Sequence, residues 1–115
     1  MDFKVIHVRG HVFDRLRDRF GISDFKAQKD FLVSALEAVK VRVEHNFLIA
    51  IVNEDAGISF KAQFYEAKKI LVLMTCYDLS NDSYYIIREK LQWRDIKTKK
   101  LTNVPIIFKD QDIRK

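Results

Sequence analysis

The stretch Ile58-Ser59-Phe60-Lys61-Ala62-Gln63-Phe64-Tyr65-Glu66-Ala67-Lys68-Lys69-Ile70-Leu71-Val72-Leu73-Met74-Thr75-Cys76-Tyr77 decides the fold. Ile58, Phe60, Ala62 and Phe64 alternate with Ser59, Lys61, Gln63 and Tyr65, the clearest period-2 run in the chain and the pattern of a half-buried strand. Glu66 to Lys69 is a polar turn, and Ile70 to Tyr77 is apolar on both faces, as a central strand requires. These features predict two neighbouring antiparallel strands.

Upstream, Asn53-Glu54-Asp55-Ala56-Gly57 supplies turn residues. Before it, Val41, Val43 and His45 alternate with Arg42 and Glu44, and Phe47 to Val52 is continuously apolar, so the strands extend into a meander. Earlier still the period changes to that of helices. Val12, Phe13, Leu16 and Phe20 line one helical face over His11 to Phe20, and Gly21 suits the left-handed position after a helix end. Ser23 offers an N-cap oxygen and Asp24 complements the N-terminus of a second helix. Phe25, Leu32, Leu36 and Val39 carry that helix from about Asp24 to Val39 or Lys40. Lys4 to Arg9 reads as a short strand or extended lead-in. The expected fold class is α+β: two N-terminal helices, then an antiparallel sheet of three to four strands. Downstream, Ser80 to Ser83 either cap a helix or precede a strand over Tyr84 to Arg88. The helix formers Arg88-Glu89-Lys90-Leu91-Gln92 tip the C-terminal extension toward helix, and Ile106 to Phe108 reads as a short edge strand after Pro105.

The chain has 115 residues, 48% hydrophobic and 32% charged, with three Gly and one Pro, which suits a single packed domain over residues 1–115 and excludes a linker or collagen-like protein. Its net charge of +5 is unevenly placed. Residues 1–87 are balanced, whereas residues 88–115 hold nine basic residues against four acidic ones and so carry the whole excess. A neutral body with a basic C-terminal extension favours a polyanionic partner. The lone Cys76 sits in an apolar run and reads as a small buried hydrophobe. Met1-Asp2-Phe3-Lys4 has no signal-peptide core and Phe47 to Val52 is too short to cross a bilayer, so a cytoplasmic location with no membrane partner is expected. Neither a metal-ligand cluster, a glycine-rich phosphate loop nor a serine elbow occurs, and no cofactor or metal is expected.

The first helix holds the chemical candidates. His11, Arg15 and Asp18 lie opposite the Val12, Leu16, Phe20 stripe, with Arg19 on its border. One reading is a solvated face with local pairs between Asp14, Arg15, Arg17 and Asp18, each worth roughly 0.3 kcal/mol. The other is a histidine one turn from an arginine, suited to hold a phosphate and move a proton beside it. His7 shares its face with Phe3 and Val5 and reads as a core or edge histidine, and His45, in line with Val41 and Val43, has a structural reading as well.

The residues Gly10-His11-Val12-Phe13-Asp14-Arg15, continuing through Arg19-Phe20-Gly21-Ile22 into a second helix and antiparallel strands, resemble the opening of the RelE-like superfamily of small ribonucleases. The similarity is to BrnT-type toxins and phage RegB-like endoribonucleases. It implies a catalytic His11 supported by Arg15, with His45 as the one downstream candidate for a second histidine. It also implies a metal-independent endoribonuclease acting on mRNA, toxin-like or phage-encoded. RNA, in solution or on the ribosome, would be the substrate, and an antitoxin or host protein a further partner. In that chemistry the 2′-hydroxyl loses its proton, the phosphorane charge is stabilised and the 5′-oxygen is protonated. His11 and His45 would share the proton transfers; Arg15, Arg19 and Lys61 would hold phosphate charge. Arg94, Lys97, Lys99 and Lys100 would add salt-sensitive attraction, with Trp93 or Tyr65 stacking on a base. The alternative is a non-catalytic phage or mobile-element accessory protein that binds a host protein or nucleic acid through the same surfaces.

Overall fold

A computed structural model describes residues 3–37, 39–43, 48–80, 97–99, 101 and 104–108. Strand β1 (Val5–Val8) leads into helices α1 (Gly10–Phe20) and α2 (Phe25–Ala35). Strands β2 (Val39–Val43), β3 (Leu48–Asn53), β4 (Ile58–Tyr65) and β5 (Ile70–Asp78) follow, and two three-residue strands, β6 (Lys97–Lys99) and β7 (Ile106–Phe108), complete the series.

The sheet differs from the expected antiparallel one of three to four strands. Its order is β6-β2-β3-β4-β5-β1-β7, and it is mixed: β2 to β5 form the antiparallel meander, while β1 runs parallel to both β5 and β7. Five strands of four or more residues make up its body, and a three-residue strand closes each side. The physical reason lies in β5. A strand buried on both faces needs a neighbour on each edge, and the meander supplies only β4; the lead-in segment fills the other edge, with Ile6 opposite Leu71 and Val8 opposite Leu73. The expected C-terminal helix falls on residues outside those described, and the parts of the extension that are described form β6 and β7 rather than helix.

α1 ends as its sequence predicts. Gly21 adopts φ 68°, and its N–H and that of Ile22 both reach the Leu16 carbonyl. α2 is capped by the Asp24 carboxylate, which accepts from the Ala27 N–H at 3.0 Å, so the cap is Asp24 and not Ser23. The helix stops at Ala35, earlier than expected, because Val39 is the first residue of β2. The β-branched alternation Val39, Val41, Val43 outweighs a helical period that Val39 also fits.

Both helices pack on one face of the sheet. Val12, Phe13 and Leu16 of α1 and Leu32, Ala35 and Leu36 share a core with Ile6, Val8, Ile51, Phe60, Ala62, Leu71, Leu73 and Cys76. Edge-to-face contact of Phe13 with Phe25 (5.2 Å) and tilted contact of Phe20 with Phe31 (5.6 Å) join the two helices. Gln28 is buried between them, and its Nε2 donates to the carbonyls of Phe13 (3.2 Å) and Ile22 (2.7 Å). Asn53 ties the β3–β4 hairpin to the end of α2: Nδ2 donates to the Ala35 carbonyl at 2.8 Å while Oδ1 accepts from the Ala56 N–H.

A register shift at Lys61/Ala62 leaves Met74 without a partner on β4. Before it, Leu71 and Leu73 face the helices; after it, Cys76 does, so the inward parity of β5 changes partway along the strand. The opposite face of the sheet has no helix over it among the described residues, and from β4 it presents Lys61 and Tyr65, both exposed.

Candidate functional site

The expected site residues divide between two sides of the molecule. His11 is exposed on the outward side of α1, away from the buried Val12, Phe13 and Leu16. Arg15 Nε donates to His11 Nε2 at 3.2 Å, and Arg15 Nη1 lies 3.7 Å from Asp18 Oδ2. In this bond the guanidinium donates and the ring nitrogen accepts. The pair therefore sets an accepting ring nitrogen beside a guanidinium on one helix face. The same surface also carries local ion pairs, Arg17 with Asp14 at 3.9 Å and with Asp18 at 3.2 Å.

Arg19 has a different position from the one expected of an RNA contact. Its Nη1 donates to the Cys76 carbonyl at 2.6 Å, and its guanidinium lies over the Tyr77 ring at 5.1 Å from the centroid. β1 ends opposite Leu73, so β5 has no strand beside it on that edge over residues 74–78 among those described. Arg19 satisfies one backbone carbonyl of β5 and joins the end of α1 to the sheet. Beneath it Cys76 is fully buried, as its apolar setting predicts. Burial pushes its thiol up to about 12, a rise that the positive charges of Arg19 and Arg15 partly offset.

Lys61 and Tyr65 stand on the face of the sheet opposite α1 and α2. A helix is about 10–12 Å across, and the molecule is 22 Å in its shortest extent, so this face and the outward side of α1 lie on opposite sides of the protein. The structure does not bring His11 and Arg15 together with Lys61 and Tyr65. His45, Trp93, Arg94 and Lys100 lie outside the described residues; Lys97 and Lys99 are placed only as backbone in β6, paired with Val41 and Val39.

The face opposite the helices contains a basin that no local sequence pattern announces. It encloses about 350 Å³ and is lined by His7, Arg9, Tyr65, Ala67, Lys68, Ile70 and Val72. The register explains the grouping: His7 pairs with Val72, which pairs with Gln63, and Ile70 pairs with Tyr65. His7 and Arg9 alternate with the buried Ile6 and Val8 and therefore face away from the helices. The β4–β5 turn adds Ala67 and Lys68. Alternation within Val5 to Arg9 already places His7 and Arg9 on one side; the missing signal was the strand beside β1, which only the parallel pairing with β5 supplies.

No protein-family model, curated protein or solved structure matches this chain. Among the described residues no three His, Cys, Asp or Glu side chains are grouped to hold a metal ion. None of the described helices is long and apolar enough to cross a membrane.

Proposed function

We propose that this protein binds single-stranded RNA across the face of its sheet opposite α1 and α2. The observation that carries the reading is the exposure of Lys61 and Tyr65 on that face, beside a basin with Arg9 and Lys68 at its rim and no carboxylate among its described lining residues. Lys61 and Tyr65 are four residues apart on β4, about 13 Å at 3.3 Å per residue, so a backbone-binding cation and a stacking ring lie along one strand. A phenol ring supports a base without regard to its identity, and lysine and arginine neutralise phosphates.

Fluorescence anisotropy of a labelled oligoribonucleotide tests the proposal. Contacts from Arg9, Lys61 and Lys68 to three phosphates correspond to a log K against log salt slope of about −2. Lys61→Glu and Tyr65→Ala are expected each to weaken binding about tenfold or more. Absence of binding at low salt, or binding that both substitutions leave intact, refutes the reading.

A second reading, metal-independent RNA cleavage at α1, is supported by the 3.2 Å hydrogen bond between Arg15 and His11. In it His11 Nε2 takes the proton of the attacking 2′-hydroxyl and Arg15 stabilises charge on the phosphorane. It requires cleavage in the presence of EDTA that His11→Ala abolishes while the fold persists. Because the two surfaces face opposite ways, Lys61→Glu separates the readings: it weakens binding on the sheet and leaves chemistry at His11 in place.

A further inference from the structure

We infer that the basin on the face opposite the helices is a pocket for one phosphorylated nucleotide, with the phosphate held at the end of Arg9 and His7 and the base laid against Tyr65 and the apolar floor. The inference deepens the RNA reading of the same face by naming what this end of it recognises. Its walls divide by chemistry. Ile70, Val72 and Ala67 form an apolar surface, and Tyr65, 45% exposed, stands beside it with its hydroxyl 3.5 Å from Gln63 Oε1. Arg9 continues from the C-terminal end of β1, anchored by its N–H to the Leu73 carbonyl at 3.1 Å. Lys68 enters from the opposite end, on the β4–β5 turn, where Lys69 adopts φ 57° and its N–H returns to the Glu66 carbonyl at 3.3 Å. His7 lies between them on the central row.

Size and charge narrow the ligand. About 350 Å³ is near the lower end of the range for small-molecule sites, which suits a single nucleotide and leaves no room for a dinucleotide cofactor. A guanidinium, an ammonium and an imidazole line it with no carboxylate among the described lining residues, so the lining favours an anion. The apolar floor and the phenol ring have no use for a bare inorganic anion, but they match the face of a base. A nucleoside without phosphate would leave the cations unused, and phosphate without a base would leave the floor wet.

Titration calorimetry on the full chain, with adenosine 5′-monophosphate as the probe, is the test. AMP should bind at least tenfold more tightly than either adenosine or inorganic phosphate. Arg9→Gln and Tyr65→Ala should each weaken AMP about tenfold, with Tyr65→Phe retaining most of the affinity and Lys26→Gln, on the exposed side of α2, changing nothing. All three positions are exposed, and an unchanged melting temperature for each variant verifies the fold. Absence of AMP binding at millimolar concentration overturns the inference, as does binding indifferent to Arg9→Gln and Tyr65→Ala, or inorganic phosphate binding as tightly as AMP. AMP binding without oligoribonucleotide binding upholds the pocket and removes the RNA reading; oligoribonucleotide binding without AMP binding does the reverse. Displacement of AMP by a 5′-phosphorylated oligoribonucleotide supports the pocket with an RNA end as its source, and no displacement supports it with a free nucleotide.

Discussion

Replacing Arg19 with methionine separates a structural arginine from an RNA-binding one. The substitution keeps most of the aliphatic stem and removes the guanidinium, and with it the 2.6 Å hydrogen bond to the Cys76 carbonyl and the contact over Tyr77. A hydrogen bond to a charged donor contributes about 1.5–3 kcal/mol net, and a cation over an exposed ring adds about 0.5–1 kcal/mol. Arg19 is only half-buried, so water replaces part of the lost bond and the lower end applies, about 2 kcal/mol. In a domain of this size that lowers Tm by roughly 8–10 °C, at about 4–5 °C per kcal/mol. The consequence should concentrate where α1 meets the second half of β5, as faster amide exchange over residues 74–78. Differential scanning calorimetry gives the Tm and anisotropy gives the RNA affinity. The expected outcome is a large fall in Tm with RNA affinity unchanged within twofold at a temperature where the variant is folded. An unchanged Tm with weakened RNA binding would refute the reasoning and return Arg19 to the interface.

Three further outcomes follow from the same structure. Gln28→Leu leaves the carbonyls of Phe13 and Ile22 without their buried donor and should cost about 2–3 kcal/mol in urea unfolding, whereas loss of an exposed α2 side chain such as Lys26 should cost under 0.5 kcal/mol. Gly21→Ala places a Cβ on a residue at φ 68° and should cost about 1 kcal/mol by the same assay, with no clash since nothing lies within 4 Å of that Cβ. The Cys76 thiol should resist iodoacetamide at pH 8 in the native protein and react once unfolded. Because burial raises its pKa from 9.0 to about 12, the unfolded chain loses this proton first, and the thiol's contribution is full below pH 9 and declines as pH rises toward 12. Cys76→Ala should remove that part of the alkaline destabilisation, and an identical alkaline slope in both proteins would count against it.

Local signals were legible because they depend on neighbours in the chain. The Ile58 to Tyr65 alternation, the Asn53 to Gly57 turn and the Gly21 helix stop all appear where the sequence places them. Two features needed information from distant residues. The apolar run Ile70 to Tyr77 looks two-faced partly because the register shift at Met74 changes which side points inward, so a single period cannot describe it. β1 was visible as a short strand, but its parallel partners lie far along the chain, and with them went the basin that groups His7 and Arg9 with Tyr65 and Lys68. For the site, the His11 and Arg15 pairing was legible from their one-turn spacing. The role of Arg19 was not, since its partner is a backbone carbonyl on β5 that no side-chain pattern announces.

The position of β1 also constrains how the chain acquires its structure. Ile6 sits between Leu71 and Ile106, and Phe108 of the last strand rests 5.9 Å from Phe13 of the first helix. Each of these pairings closes a long loop, which raises the contact order and slows folding relative to a purely sequential meander. During synthesis at about 5–20 residues per second, Val5 to Val8 would wait on the order of ten seconds for β7, its apolar residues without their final neighbours. A chaperone that shields short apolar strands should therefore raise the yield of this protein most when it acts before residues 104–108 have emerged.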